Sequence, residues 1–159
     1  MTDQRVGINK RIADRLFREG QIDETDYRRV IEVARKRGAR VEECLIELGI
    51  LTESQLLKLV ATFHRTQFVS TERLSKAKLD PQALKAVPKG VAQHFGCFPL
   101  VLDRPGDKLI VATPDPDNEQ AMQELGLAAA VQRVAPMVVR PAAVKAAIAR
   151  GYDRDKSLS

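Results

Sequence analysis

The chain has 159 residues, 44% of them hydrophobic, and its 26 Lys and Arg exceed its 21 Asp and Glu to give a net charge of +5. That length suits one domain or two small lobes, and the core must be aliphatic because Trp is absent and aromatics make up only 4%. No apolar run approaches the ~18 residues of a membrane span, and the N-terminus lacks the apolar segment of a signal peptide, so neither is expected. Cys44 and Cys97 lie far apart without metal or redox spacing, which points to a reduced, cytoplasmic compartment.

In chain order, residues 1–8 read as a loose start. From Arg11 to Phe63 one pattern is written twice. Arg11, Leu16, Gly20, Ile22, Tyr27 and Ile31 return 29 positions later as Arg40, Leu45, Gly49, Leu51, Leu56 and Val60, each keeping its chemical type. Such a repeat is one supersecondary unit used twice. Each copy predicts a short apolar helix, a stop at Gly20 or Gly49, then a capped and longer amphipathic helix. Asp23 starts the second helix of the first copy. Thr52 to Gln55 form a capping box in the second. Four short helices in a tandem-repeat bundle are expected over residues 1–69, with the repeats near 11–34 and 40–63.

Gln67 to Val69 read as a short extended piece leaving the bundle. Residues 70–80 are polar and Lys-rich, with Leu74 and Leu79 as isolated anchors, and read as a linker. An α+β lobe over 81–152 follows. Asp80 and Pro81 open a helix, Pro88 ends it and opens another, and Gly96 closes that one. Two apolar runs, 97–102 and 108–112, flank a Pro-Gly turn and predict a hairpin. Asp117 or Asn118 caps a helix that Gly126 should close. Residues 131–139 read as a third strand, Pro141 opens the last helix, Gly151 should stop it, and 153–159 read as a disordered tail. The order after residue 80 is α-α-β-β-α-β-α. The fold class expected is therefore α+β, a four-helix repeat bundle followed by a small three-stranded sheet with flanking helices.

Chemistry is sparse. The phosphate-loop and dinucleotide glycine motifs and the Ser nucleophile elbow are missing. The two histidines, His64 and His94, sit at predicted helix ends, where a cation suits the dipole, and no metal-ligand spacing surrounds them. The Pro114–Asn118 turn concentrates acids, yet turn formation and capping account for them. The basic cluster Arg35, Lys36, Arg37 and Arg40 fits a helix C-terminus, with anion or nucleic-acid binding as the sharper alternative. A catalytic constellation, a cofactor site and a metal site are not expected.

With these residues in view, the doubled pattern resembles the N-terminal domain of type II secretion and type IV pilus assembly ATPases, in the version called the MshEN domain. That family's motif is R-L-G-x-x-L-x-x-x-G-x-x-x-x-x-x-L-x-x-x-L-x-x-Q in tandem. The second lobe is similar too: Pro88, Ala92, His94, Pro99 and Leu100 match its approach to the hairpin, and Leu109 to Pro116 matches its L-x-V-A-x-x-D-P stretch. The resemblance covers roughly residues 10 to 152. It implies a cyclic di-GMP site in which Arg binds phosphates and guanines and Leu packs the ligand. Carried over, the candidates are Arg11, Leu16, Gly20, Tyr27, Ile31, Arg40, Leu45, Gly49, Leu56 and Val60, with Asp115 at a guanine edge. The sequence departs from the motif where its Gly becomes Ala13 and Glu42 and its Gln becomes Ala34 and Phe63. Glu42 would set a like charge against a ligand bearing two phosphates.

The family's ATPase motor, with its phosphate loop, is not among these residues. The resemblance implies a non-catalytic regulatory or adaptor module, cytoplasmic and recruited to the inner membrane by a protein partner of a secretion or pilus machine. A cyclic di-GMP sensor is the alternative, and nucleic-acid binding through residues 35–40 the third.

Overall fold

The protein is described by a computed structural model over residues 2–158, with side chains from 10 to 153. The chain divides into two compact units, Met1–Val60 and Ala61–Ser159.

The first unit is the tandem repeat. Its helices are α1 (Thr2–Arg18), α2 (Glu24–Arg37), α3 (Val41–Glu47) and α4 (Glu53–Phe63), the last running past the division. The helix α1 already begins at Thr2, where the composition suggested a loose start. The helices α1, α2 and α3 pack against one another. The 29-residue offset holds at the level of single hydrogen bonds. Gly20 and Gly49 both adopt the left-handed conformation, at φ 76° and 74°. The Gly20 amide donates to the Phe17 carbonyl at 3.1 Å and the Gly49 amide to Ile46 at 3.0 Å. The next amides, Gln21 and Ile50, donate to Leu16 and Leu45 at 2.9 and 3.0 Å. These are paired helix-closing turns, and only glycine enters that region without steric cost. The caps repeat as well: Asp23 accepts from the Asp26 amide at 2.7 Å, and Thr52 from Gln55 at 3.1 Å, with the Gln55 side chain answering the Thr52 amide at 3.0 Å. The second exchange is a complete capping box.

The second unit contains β1 (Gln67–Phe68), α5 (Thr71–Lys76), α6 (Pro81–Ala86), α7 (Lys89–Phe95), β2 (Phe98–Asp103), β3 (Lys108–Thr113), α8 (Glu119–Ala129), β4 (Arg133–Val138) and α9 (Pro141–Leu158). The order from α6 onward is the one the sequence predicts, and the fold is α+β. The sheet, however, has four strands rather than three, in the order β1-β4-β3-β2. The hairpin β2–β3 is antiparallel and β3–β4 parallel, and Gln67 and Phe68 pair in parallel with Met137 and Val138. The extended piece at 67–68 is thus an edge strand whose partner lies seventy residues along, which local composition does not encode.

Three further expectations are corrected. The presumed linker 70–80 contains α5, capped by Ser70, with Leu74 fully buried. The Arg150 guanidinium reaches its far end, donating to the Leu74 and Ala77 carbonyls at 2.9 and 3.2 Å. The Leu74 carbonyl also accepts from the Ala77 amide at 3.2 Å, so Arg150 adds a second donor at this helix end. Gly126 does not close α8, which runs to Ala129, and Gly151 does not stop α9, which continues to Leu158, so 153–158 is helical backbone rather than a disordered tail. Both glycines are sites of close packing instead. A Cβ on Gly126 would lie 3.3 Å from the Val131 carbonyl oxygen, and one on Gly151 would lie 2.9 and 3.1 Å from two carbons of the buried Phe98 ring.

Two alanine substitutions in helices should therefore have opposite signs. Gly90→Ala in α7 meets nothing within 4 Å and should stabilise by about 0.5–1 kcal/mol through helix propensity. Gly151→Ala gains the same propensity but forces the Phe98 ring aside, and overpacking of about 1–3 kcal/mol leaves it net destabilising. Urea unfolding of the two variants beside the parent checks both signs. A stabilising Gly151→Ala would mean that the Phe98 ring yields at little cost.

Candidate functional site

The repeat positions separate by environment. Leu16 and Leu45 are fully buried, and Leu56 and Val60 are 1% and 5% exposed, so these four are core. Gly20 and Gly49 are turn residues. Tyr27 and Ile31 are half-buried on α2, and Arg11 is exposed on α1. Asp115 belongs to the second unit, where its amide donates to the Thr113 hydroxyl at 3.0 Å in the turn before Asn118 caps α8.

The two repeat arginines are not equivalent. Arg40 stands at the N-terminal boundary of α3, in extended conformation. Its Nη2 lies 3.0 Å from the Glu42 carboxylate, with the two side chains only 20% and 14% exposed. A charge-assisted contact this sheltered is screened far less than a surface pair. In the first copy the position matching Glu42 is Ala13, fully buried and without charge. Glu42 therefore does not point out to solvent, and its carboxylate holds Nη2 of Arg40.

The basic cluster is also largely engaged. Lys36 pairs with Glu32 at 3.1 Å and Arg37 with Glu47 at 2.9 Å. Both lie in the last turn of α2, which Gly38 closes in the left-handed conformation. A cationic last turn is the ordinary complement of the helix dipole.

Tyr27 donates its hydroxyl to Asp14, and this hydrogen bond, with burial, holds its phenol above the usual range. The Tyr27 ring also stacks at a tilt on Phe17, centroids 5.1 Å apart. Beside this pair lies a groove of about 440 Å³ between α1 and α2, lined by Lys10, Tyr27, Arg28, Ile31, Glu32, Arg35 and Lys36. Sequence reasoning found Tyr27 and Ile31 but missed Lys10 and Arg28. Their signal was present in the repeat, because the matching second-copy residues, Ala39 and Leu57, are uncharged.

Burial pushes both cysteine thiols up, Cys97 to about 11. Neither is poised as a nucleophile at neutral pH. Among the described residues no three His, Cys, Asp or Glu side chains converge as a metal set, and no helix is long and apolar enough to cross a membrane.

A capped tandem helical repeat followed by an α+β unit with a D-P turn defines a module of the kind found at the N-termini of secretion and pilus-assembly ATPases. The chain belongs to the MshEN domain family, whose family model matches residues 65–158. The match covers the α+β unit with its hairpin and Asp115-Pro116 turn, not the repeat. Two curated relatives match more of the chain. The type IV pilus assembly ATPase PilB of Myxococcus xanthus is 28% identical over 145 residues, 91% of this chain, and that of Thermus thermophilus is 31% identical over 124 residues, 76% of this chain. The chain spans only 25% and 13% of their lengths. Among solved structures, that of MshE with cdg is 26% identical, with a TM-score of 0.69 over 89% of this chain and 98% of that one. The N-terminal domain of XpsE, 18% identical with a TM-score of 0.57 over 95% and 96% of the two chains, shares the fold.

Proposed function

We propose that this chain is a non-catalytic regulatory module of a secretion or pilus-assembly machine. It acts by docking to a protein partner of that machine, in the cytoplasm and at the inner membrane through that partner. The observation that carries the reading is the Arg40–Glu42 contact. The second-copy arginine that would meet a ligand phosphate already holds a carboxylate at 3.0 Å. The leucines that would pack a ligand are consumed in the core. An anionic nucleotide would have to displace an internal anion and lie beside its charge, which costs affinity.

Calorimetric titration with cyclic di-GMP, with GTP as control, tests this. The parent should bind more weakly than about 100 μM. Glu42→Ala, which makes the second copy like the first at this position, should tighten binding at least about tenfold, or ~1.4 kcal/mol. Low-micromolar binding by the parent would overturn the adaptor reading.

A second reading, a cyclic di-GMP sensor, draws support from the likeness to MshE with cdg and from the matched turns at Gly20 and Gly49. It requires Arg11→Ala or Arg40→Ala to abolish parental binding with the fold intact. Nucleic-acid binding through residues 35–40 draws support only from the cluster's charge, and one of its members, Arg40, is held by Glu42 in a sheltered pair.

A further inference from the structure

The same face of the repeat is closed in one copy and open in the other. In the second copy Leu56, Leu57, Val60 and Ala61 are all 5% exposed or less. Their first-copy equivalents are Tyr27, Arg28, Ile31 and Glu32, and Lys10 stands where the second copy has Ala39. Here the i, i+4 apolar pair Tyr27 and Ile31 is only half-buried, and Phe17, whose ring touches Tyr27, is 40% exposed. This apolar strip lies beside the α1–α2 groove. Of the groove's cations, Arg28 is paired to Glu24 at 2.6 Å and Lys36 to Glu32 at 3.1 Å. Lys10 and Arg35 make no ion pair among the described residues. The groove thus combines an apolar pair one helix turn apart, extended by the neighbouring Phe17 ring, with a net positive rim.

We propose that the α1–α2 groove of the first repeat is the docking site for an acidic amphipathic helix of the protein partner. The proposal rests on the adaptor reading above and names its surface. Apolar side chains spaced at i, i+4 and i+7 on the incoming helix cover Ile31, Tyr27 and Phe17, as the fold itself covers Leu56 and Val60 in the second copy. Carboxylates on the helix flanks meet Lys10 and Arg35, giving orientation and a fast, salt-sensitive encounter. A helix contact of this kind suits a reversible regulatory association.

The probe is a synthetic helical peptide with Leu at i, i+4 and i+7 and Glu on the flanking positions, added to the isotope-labelled full chain and followed by NMR. A scrambled peptide of the same composition and cyclic di-GMP are added in parallel. Saturable shifts confined to Phe17, Tyr27, Ile31 and their neighbours are expected, with binding weakened about tenfold between 50 and 300 mM salt. The double variant Lys10→Glu/Arg35→Glu should lose at least tenfold in affinity at an unchanged melting temperature. If charge reversal disturbs folding, Lys10→Gln/Arg35→Gln should lose at least about threefold. Equal binding of the scrambled peptide, or an indifferent double variant, overturns the proposal. Shifts mapping to the second unit overturn this site but leave the adaptor reading standing. Cyclic di-GMP shifting the same groove residues at low-micromolar concentration overturns both.

Discussion

Leu45→Ala is expected to destabilise the chain by about 3 kcal/mol, the range for truncating a fully buried leucine where the surroundings collapse only in part. Leu45 is wholly buried, and its carbonyl accepts from the amides of Ile50 and Leu51 at 3.0 and 3.2 Å, tying the side chain's position to the glycine turn. The family motif marks the same leucine as a ligand contact, and the two roles predict different data. A core leucine lowers the urea midpoint with or without ligand. A ligand-facing leucine would leave stability almost unchanged while abolishing binding. Leu127→Ala, at a leucine 75% exposed, serves as control and should move stability by less than about 0.5 kcal/mol. If Leu45→Ala behaved like Leu127→Ala, the leucines of the repeat would face a cavity, and the sensor reading would regain ground.

Asp80→Ala should cost about 2–3 kcal/mol, because one carboxylate carries two duties. Its Oδ1 accepts from the Gln82 amide at 3.0 Å, capping α6, and its Oδ2 accepts from the Leu102 amide at 2.9 Å. Loss of the cap contributes about 1 kcal/mol, and loss of a charged acceptor for the amide of a buried residue about 1.5 kcal/mol more. The strand β2 lies at the edge of the sheet, and Pro99 within it has no amide to offer. Together Asp80 and Pro99 leave this edge few donors to template another chain. Asp80→Asn should retain the cap and lose roughly half as much, since its amide group cannot accept from Leu102. Urea titrations of the two variants separate the duties. An Ala variant within about 0.5 kcal/mol of the parent would show that the brace is replaced by water.

The sequence by itself determined the features that a few contiguous residues encode. The left-handed turns at Gly20, Gly49 and Gly96 and the caps at Asp23, Thr52 and the 117–118 turn rest on hydrogen bonds spanning two to five residues, and the 29-residue repeat and the order of elements after residue 80 follow from such local punctuation. The D-P turn was likewise readable, and with the repeat it pointed to the MshEN family. What only the tertiary structure decided depends on partners distant along the chain. Gln67 and Phe68 become a strand because Met137 and Val138 pair with them. The polar segment after Ser70 holds a helix because Leu74 enters the core and Arg150 supplies its final carbonyls with donors. Gly126 and Gly151 look like stops in the sequence, yet they lie within helices, where the Val131 carbonyl crowds the first and the buried Phe98 ring leaves no room for a side chain at the second. The candidate site divides in the same way. Its residue types were legible, but the closure of Arg40 by Glu42 and the open groove beside Tyr27 were not. A repeat pattern specifies which positions match, whereas burial and pairing of each copy are set by what packs against it.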